Sequence, residues 1–273
     1  MKYLLAPDSF KEAASAQAVA EAMRCGVLAG DPDAECRMMP LSDGGEGLTT
    51  ALVRATGGEL KPAHVHDALG RPICAQYGFL GGGSHMETDG KTGIRTAVVE
   101  LAAASGIEHV SPAERDPLAA STYGTGELIH AAIDAGATRI VLGLGGSATT
   151  DGGSGLARAL GYRFLDDRER ELPLGGGALH RLARIDGTDV PDEVRNVPII
   201  LACDVINPLT GPNGAAAVFA PQKGADAQQV ALLDSGLSKL ANAIEALNGR
   251  NIASQPGSGA AGGTGGGMLG LFN

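Results

Sequence analysis

Residues 3–55 read YLLAPDSFKEAASAQAVAEAMRCGVLAGDPDAECRMMPLSDGGEGLTTALVRA, and the switches of period within them decide the fold class. The apolar run 3–6 (YLLA), stopped by Pro7, predicts a short buried strand. Ser15 is placed to cap a helix in which Val19, Met23 and Val27 recur at i, i+4 and i+8, and Gly30 ends it. Residues 35–41 (ECRMMPL) predict a second strand. The loop SDGGEG follows, and a helix runs from about Leu48 to Ala55. Strand, helix, strand, helix is the opening of a parallel doubly wound sheet, so the chain is assigned to the α/β class.

Working outward, residues 59–101 change to short strands with turn signals, LGRP (69–72) and the glycines 81–83, which predicts a hairpin region. Beyond it come a helix over 124–136, a strand over 138–145, a helix over 154–161, an apolar strand within 195–205 and a long amphipathic helix over 226–248. The charged run DDRERE (166–171) reads as a solvated hairpin turn. No repeat of solenoid period is visible. The end of the chain, PGSGAAGGTGGGMLGLFN, runs from a glycine loop toward a helix and stops, as though more chain should follow.

A chain of 273 residues can bury roughly three-quarters of its unfolded surface. Its 44% apolar and 19% charged residues are globular in balance. With 42 glycines, no tryptophan and 3% aromatics, it is rich in positions where main-chain N–H groups can approach a phosphate, although a genome favouring Ala and Gly codons would give a similar count. The net charge of −10 leaves no basic stripe for nucleic acid. It does not exclude a small anionic substrate, because bound Mg²⁺ brings phosphates to acidic sites. Cys25, Cys36, Cys74 and Cys203 show no C-x-x-C pairing and read as reduced, buried thiols of a cytoplasmic protein. Nothing approaches the ~20 apolar residues of a membrane span.

In LLAPDSFK, MMPLSDGGEG, IVLGLGGSATTDGG and IILACDVINP an apolar strand runs directly into a loop carrying an aspartate. Ligands of open α/β sheets bind outside the carboxyl ends of the strands. Asp8, Asp43, Asp151 and Asp204 are therefore placed to converge on one crevice, although each could instead be a turn former or helix cap. Phosphoryl transfer needs carboxylates for Mg²⁺, a proton acceptor and cations for the transferring group. Lys11 and Lys223 lie in the same class of loop. The loops 43–47, 143–153 and 257–267 offer backbone N–H donors. Gly143, Gly145 and Ala148 also spell G-x-G-x-x-A, with Asp166 about 20 residues on, a dinucleotide fingerprint whose helix opens too late. A Walker A motif is absent.

Together APDSFKEAAS, PLSDGGEG, STYGTGELI, GLGGSATTDGGSG, ACDVINPLTGPNGAAAVFAPQKGA and PGSGAAGG resemble the signature blocks of the bacterial type I glycerate kinases, in that family's order and near its spacing. The resemblance implies a non-P-loop transfer of phosphate from ATP, with Mg²⁺, to D-glycerate, giving 2-phosphoglycerate. It implies a flavodoxin-like doubly wound domain, only partly present here, and an inserted mixed α/β domain. The corresponding boundaries are 1–66, 67–255 and a Gly-rich return segment 256–273. The matching positions are Asp8, Ser9, Lys11, Asp43, Gly44, Gly45, Glu46 and Gly47, then Gly145, Gly146, Ser147, Thr149, Asp151, Asp204, Asn207, Gln222 and Lys223.

Among these, Asp43 and Asp151 are the expected metal ligands and Asp204 the acceptor of the hydroxyl proton. Asp8, Lys11 and Lys223 complete the catalytic set. Ser9, Gly44, Gly45, Gly47, Gly145, Gly146, Ser147, Thr149, Asn207 and Gln222 would contact the nucleotide. The expected partner is glycerate, in a monomer or homodimer, with no nucleic acid and no membrane. Two departures stand out. The family continues beyond the Gly-rich block, which makes a truncated remnant without turnover a rival to the active kinase. GGSHMETDGKTGIR (82–95) is inserted before the T-A-V-x-E strand, read as a lid or hairpin extension with no chemistry assigned to His85.

Overall fold

The computed structural model describes residues 1–273 apart from Ser9, Lys11, Glu12, Asp43, 83–92 and Asn273. The expected lid within 82–95, His85 included, thus falls mostly outside the described residues.

The chain opens with β1 (Lys2–Leu5), α1 (Ala16–Gly30), β2 (Glu35–Met38) and α2 (Leu48–Thr56), as the period changes predict. β1 and β2 are parallel and form a two-stranded sheet of their own. The Ser15 hydroxyl accepts from the Ala18 amide at 3.3 Å, the expected cap. The expected stripe on α1 is only partly met: Ala20 is its buried residue, and Met23 is 43% exposed. Leu4 of β1 is also exposed, so this strand is buried through Leu5.

Next come β3 (Glu59–His66), β4 (Pro72–Phe79), β5 (Thr96–Glu100), α3 (Ala102–Ser105), α4 (Tyr123–Asp134), β6 (Arg139–Gly143), α5 (Ser154–Ala159) and β7 (Arg163–Leu165). They are followed by β8 (Arg184–Asp186), α6 (Asp192–Asn196), β9 (Ile199–Ala202), α7 (Ala215–Phe219), α8 (Ala227–Asn248) and α9 (Thr264–Leu271). The central sheet has the order β3-β4-β5-β6-β9, antiparallel up to β5 and parallel from β5 to β9. The β3–β4 hairpin turns at LGRP, where the Asp67 carboxylate accepts from the amides of Leu69 and Arg71 at 2.9 Å each. The mixed α/β class therefore holds.

Alternation along β5 and β6 gives the sheet two covered faces. Ala97, Val99, Ile140 and Leu142 enter the main core, while Val98 and Val141 pack against Leu48 of α2 on the opposite face. The main core continues through α4, α5 and α8 to α9. Helix α8 begins with a reciprocal cap between Asp226 and Gln229. The Gly-rich segment and α9 pack against α5 and α8, with Met268, Leu271 and Phe272 in the main core and the Tyr162 hydroxyl donating to Leu271 O at 2.8 Å.

One expectation is overturned by burial. The cysteines are free, but Cys25, Cys74 and Cys203 are exposed and Cys36 is half-buried. On β4 it is Ala75, next to Cys74, that faces the core. Among the described residues no helix is long and apolar enough to cross a membrane.

Candidate active site

The carboxyl ends of β2, β5, β6 and β9 open on one cleft of about 1400 Å³. Met38–Pro40 form one rim, and Glu100, Leu144–Ser147, Asp204 and Val205 follow from the central sheet. Gln222 and Lys223 close it from the far side. A crevice at the strand ends is expected from the sequence, but of the four loop aspartates expected to converge on it only Asp204 lines it among the described residues.

Glycine loops build its floor by laying backbone on backbone. A Cβ on Gly44, whose φ is +99°, would lie 2.6 Å from Ala202 O at the end of β9. One on Gly143 would lie 2.6 Å from Gly44 O, and one on Gly145 2.4 Å from Gly45 Cα. The start of the 44–47 loop thus rests on the ends of β6 and β9, with no room for side chains at Gly44, Gly143 and Gly145. Gly47, at φ +88°, precedes α2. Its amide and that of Thr49 donate to the carboxylate of Glu100 at the end of β5, the Gly47 bond at 3.0 Å. Burial pushes the Glu100 carboxyl up, and the two amides oppose that shift.

Lys223 is 2% exposed, yet it borders the cleft. Its Nζ donates to Ser147 Oγ at 2.8 Å and to Thr149 O at 2.5 Å. Burial lowers its pKa to about 7, while the charge of Asp151 holds it up. Arg115 stands beside it on the cleft wall, one Nη donating to Gln222 O at 3.0 Å. Its Nε is buried without a hydrogen-bond partner among the described residues. Lys223 and Arg115 give the cleft an anion-binding corner next to the Gly145–Ser147 loop.

The expected site residues separate into groups. Gly45, Gly47, Gly145, Gly146, Ser147, Asp204, Gln222 and Lys223 line the cleft, and Gly44 lies buried beneath it. Asp204 is exposed, immediately after β9. Asp8 is exposed as well but is not among the residues lining the cleft. Ser9, Lys11 and Asp43 lie outside the described residues.

Asp151 and its neighbours look inward. Its carboxylate is fully buried and accepts from Thr122 N and Thr122 Oγ1 at 2.9 Å each, from Gly155 N at 3.1 Å and from Gly153 N at 3.2 Å. Burial still pushes its pKa up. These donors tie the starts of α4 and α5 together and leave the carboxylate no path to the cleft. Thr149 is buried, with its carbonyl taken by Lys223. Asn207 Nδ2 donates to Asn213 O at 2.9 Å and shapes its own loop. The 257–267 glycines are almost all buried: a Cβ on Gly262 would lie 2.0 Å from Thr149 O, and one on Gly267 2.1 Å from Gly152 O. Their role is close packing, and only Ala261 and Gly262 of that loop reach the cleft.

The dinucleotide reading loses its ribose ligand. The Asp166 carboxylate accepts from Arg170 Nη2 at 2.8 Å, Arg170 Nε at 3.0 Å and the Arg168 and Arg170 amides, which hold its pKa at about 2. It pins the DDRERE turn.

Sequence reasoning passed over Glu100 and Arg115. The signal for Glu100 was the TAVVE strand, whose terminal carboxylate falls at a strand end. RDP (115–117) gave no comparable signal.

A sequence profile described as the glycerate kinase family matches residues 3–273. The glycerate kinase of Bacillus subtilis (strain 168) is 48% identical over 269 residues, covering 98% of this chain and 68% of that protein. The glycerate 2-kinase of Escherichia coli (strain K12) is 43% identical over 269 residues with the same coverage. A crystal structure assigned as glycerate kinase 2 from Salmonella typhimurium LT2 matches with a TM-score of 0.84 and 43% identity, over 99% of this chain and 70% of that one. By profile, by sequence and by fold, the chain belongs to the glycerate kinase family.

Proposed function

We propose that this chain transfers the terminal phosphate of Mg-ATP to a hydroxyl of D-glycerate, with 2-phosphoglycerate as the product. The observation that carries the reading is Lys223, an amine held in a dry position at the edge of the cleft by Ser147 and Thr149, which an anion beside it would keep protonated. A phosphate or carboxylate entering beside it is neutralised in a low-dielectric setting, where a charge pair is worth far more than in water. Arg115 supplies a second cation, and the Gly145–Ser147 loop lines the same cleft. Asp204, exposed at the end of β9, is the proposed acceptor of the substrate hydroxyl proton.

Mg²⁺ binds through one or two carboxylates together with phosphate oxygens and water, so a preformed cage is not required. Among the described residues no cluster of three or more metal-ligating groups occurs. Glu46 and Asp204 nevertheless present carboxylate oxygens along the cleft, which fits such a partial set. Asp43, next to Gly44, remains the expected further ligand. When bound, Mg²⁺ would offset charge on the phosphate oxygens. Asp151 is not proposed for this role, since its oxygens are committed to the α4 and α5 starts. The exposed free thiols suit the reducing cytoplasm.

The test is D-glycerate-dependent ADP release from Mg-ATP, repeated with EDTA, with the product assigned by ³¹P NMR. Turnover abolished by EDTA is expected. Folded protein that binds ATP without releasing ADP would overturn the activity for this chain. Replacing Asp204→Asn is expected to lower kcat by about 100-fold or more with ATP binding retained. Unchanged turnover would remove Asp204 from the reaction.

A further inference from the structure

Glu100 has no part in the transfer chemistry above, yet it stands at the centre of the cleft's architecture. It ends the fully buried strand β5, is itself 7% exposed, and borders the cleft. Its two oxygens take the amides of Gly47 and Thr49, groups brought to it from about fifty residues earlier in the chain.

Those amides belong to the first turn of α2. A helix N-terminus exposes unpaired N–H groups and the positive end of the helix dipole, so a glycine loop running into a helix beside a phosphate cleft is the usual seat for a substrate phosphate. Here the protein fills that seat with its own carboxylate. A negatively charged ligand approaching the same amides would meet Glu100, and also Glu46, whose charge is felt at the Glu100 carboxyl.

The same contact fixes the loop. Among the described residues, three bonds within the 42–48 turn are long: Gly44 N to Ser42 Oγ at 3.3 Å, Ser42 Oγ to Gly45 O at 3.4 Å and Leu48 N to Gly45 O at 3.4 Å. The Gly47 bond to Glu100 is 3.0 Å, and the Thr49 amide donates to the same carboxylate. Both have a carboxylate as acceptor, which makes them the stronger kind. The glycine contacts at Gly44 and Gly145 set how close the loop can come to the sheet, and Glu100 pulls it there.

We propose that Glu100 is a positioning residue for phosphoryl transfer: it locks the 44–47 loop across the strand ends and closes the α2 N-terminus to substrate phosphate. The phosphate is thereby directed to the Gly145–Ser147 loop, Lys223 and Arg115. The proposal rests on the phosphotransfer reading of the cleft, and its test has one arm independent of turnover.

That arm is titration of the ¹⁵N-labelled full chain with inorganic phosphate, following the Gly47 and Thr49 amide signals. In the wild-type protein these signals are expected to stay still while signals from Gly145–Ser147 move. In Glu100→Ala they are expected to move saturably, because the helix N-terminus is now open. The kinetic arm compares Glu100→Ala with Glu100→Gln. Loss of loop position is expected to lower kcat by about 100-fold in the alanine variant, with phosphate becoming a competitive inhibitor against ATP. Glutamine keeps an acceptor oxygen and is expected to recover a substantial part of kcat without phosphate inhibition. Movement of the Gly47 and Thr49 amides in the wild-type protein would overturn the closure, whether or not the alanine variant folds. A folded Glu100→Ala protein with wild-type kcat would overturn the positioning role. If the wild-type chain releases no ADP, the phosphotransfer reading fails, and the amide titration still decides the state of the α2 N-terminus.

Discussion

Two of the molecule's parallel strand pairs, β1–β2 and β5–β6, are held in different ways. In β5 every residue is buried, and β5 with β6 is covered by the main core on one face and by α2 on the other. In β1–β2, Leu4 is 60% exposed, and the covering helix α1 contributes Ala20 as its buried residue. Their sequences differ as well, KYLL and ECRM against TAVVE and RIVLG, and the more apolar pair is the one around which more of the molecule is packed. The cleft therefore has one wall anchored in the core through β5 and β6 and a less buried rim at Met38–Pro40.

That contrast can be broken most severely at its rigid end. Leu142→Ala, in a side chain with no exposure, is expected to cost about 2–5 kcal/mol in denaturant unfolding. Gly145→Ala puts a methyl 2.4 Å from Gly45 Cα and should cost about 1–3 kcal/mol, with a loss of kcat larger than that destabilisation explains. A third measurement concerns Lys223. Its folded pKa of about 7 lies below the ~10.4 of an unfolded lysine, so between those values the unfolded chain binds the extra proton. Stability should then rise with pH from about 7 toward about 10, at up to about 1.4 kcal/mol per pH unit, and Lys223→Met should flatten that rise. Smallest is Leu4→Ala, expected to stay within about 0.5 kcal/mol. Hydrogen exchange sharpens the same comparison: β1–β2 amides should exchange well before those of β5–β6. Equal protection would remove the distinction between the two pairs.

Much of this was legible in the chain because it is locally encoded. Ser15 and Gly30 mark the ends of α1, the Ser15 cap through a contact three residues away, and the strand-then-glycine segments pointed to the cleft. What sequence could not give depends on distant partners. Asp151 in TTDGG reads as an exposed loop carboxylate until Thr122, thirty residues earlier, is seen to be bonded to it. Glu100 reads as the polar end of a strand until the α2 amides arrive. The 257–267 glycines read as a phosphate loop, whereas most of them are required by backbone crossing behind the site. Composition names the glycine without saying which neighbour demanded it.

The seam where Gly143, Gly44, Gly145 and Gly45 meet has a further consequence. Ordinary packing yields to a disturbance by rotamer change, as one side chain swings aside for another. Here the facing surfaces are main chain except for Leu48 Cδ2 beside Gly143, and the backbone at the contact cannot swing. A displacement of the β6 end is passed to the 44–47 loop undiminished, as between meshed gear teeth, and from there to β9 through Ala202. The parts of the floor therefore travel together or not at all, and change at any one of these positions must be answered by movement of whole strands.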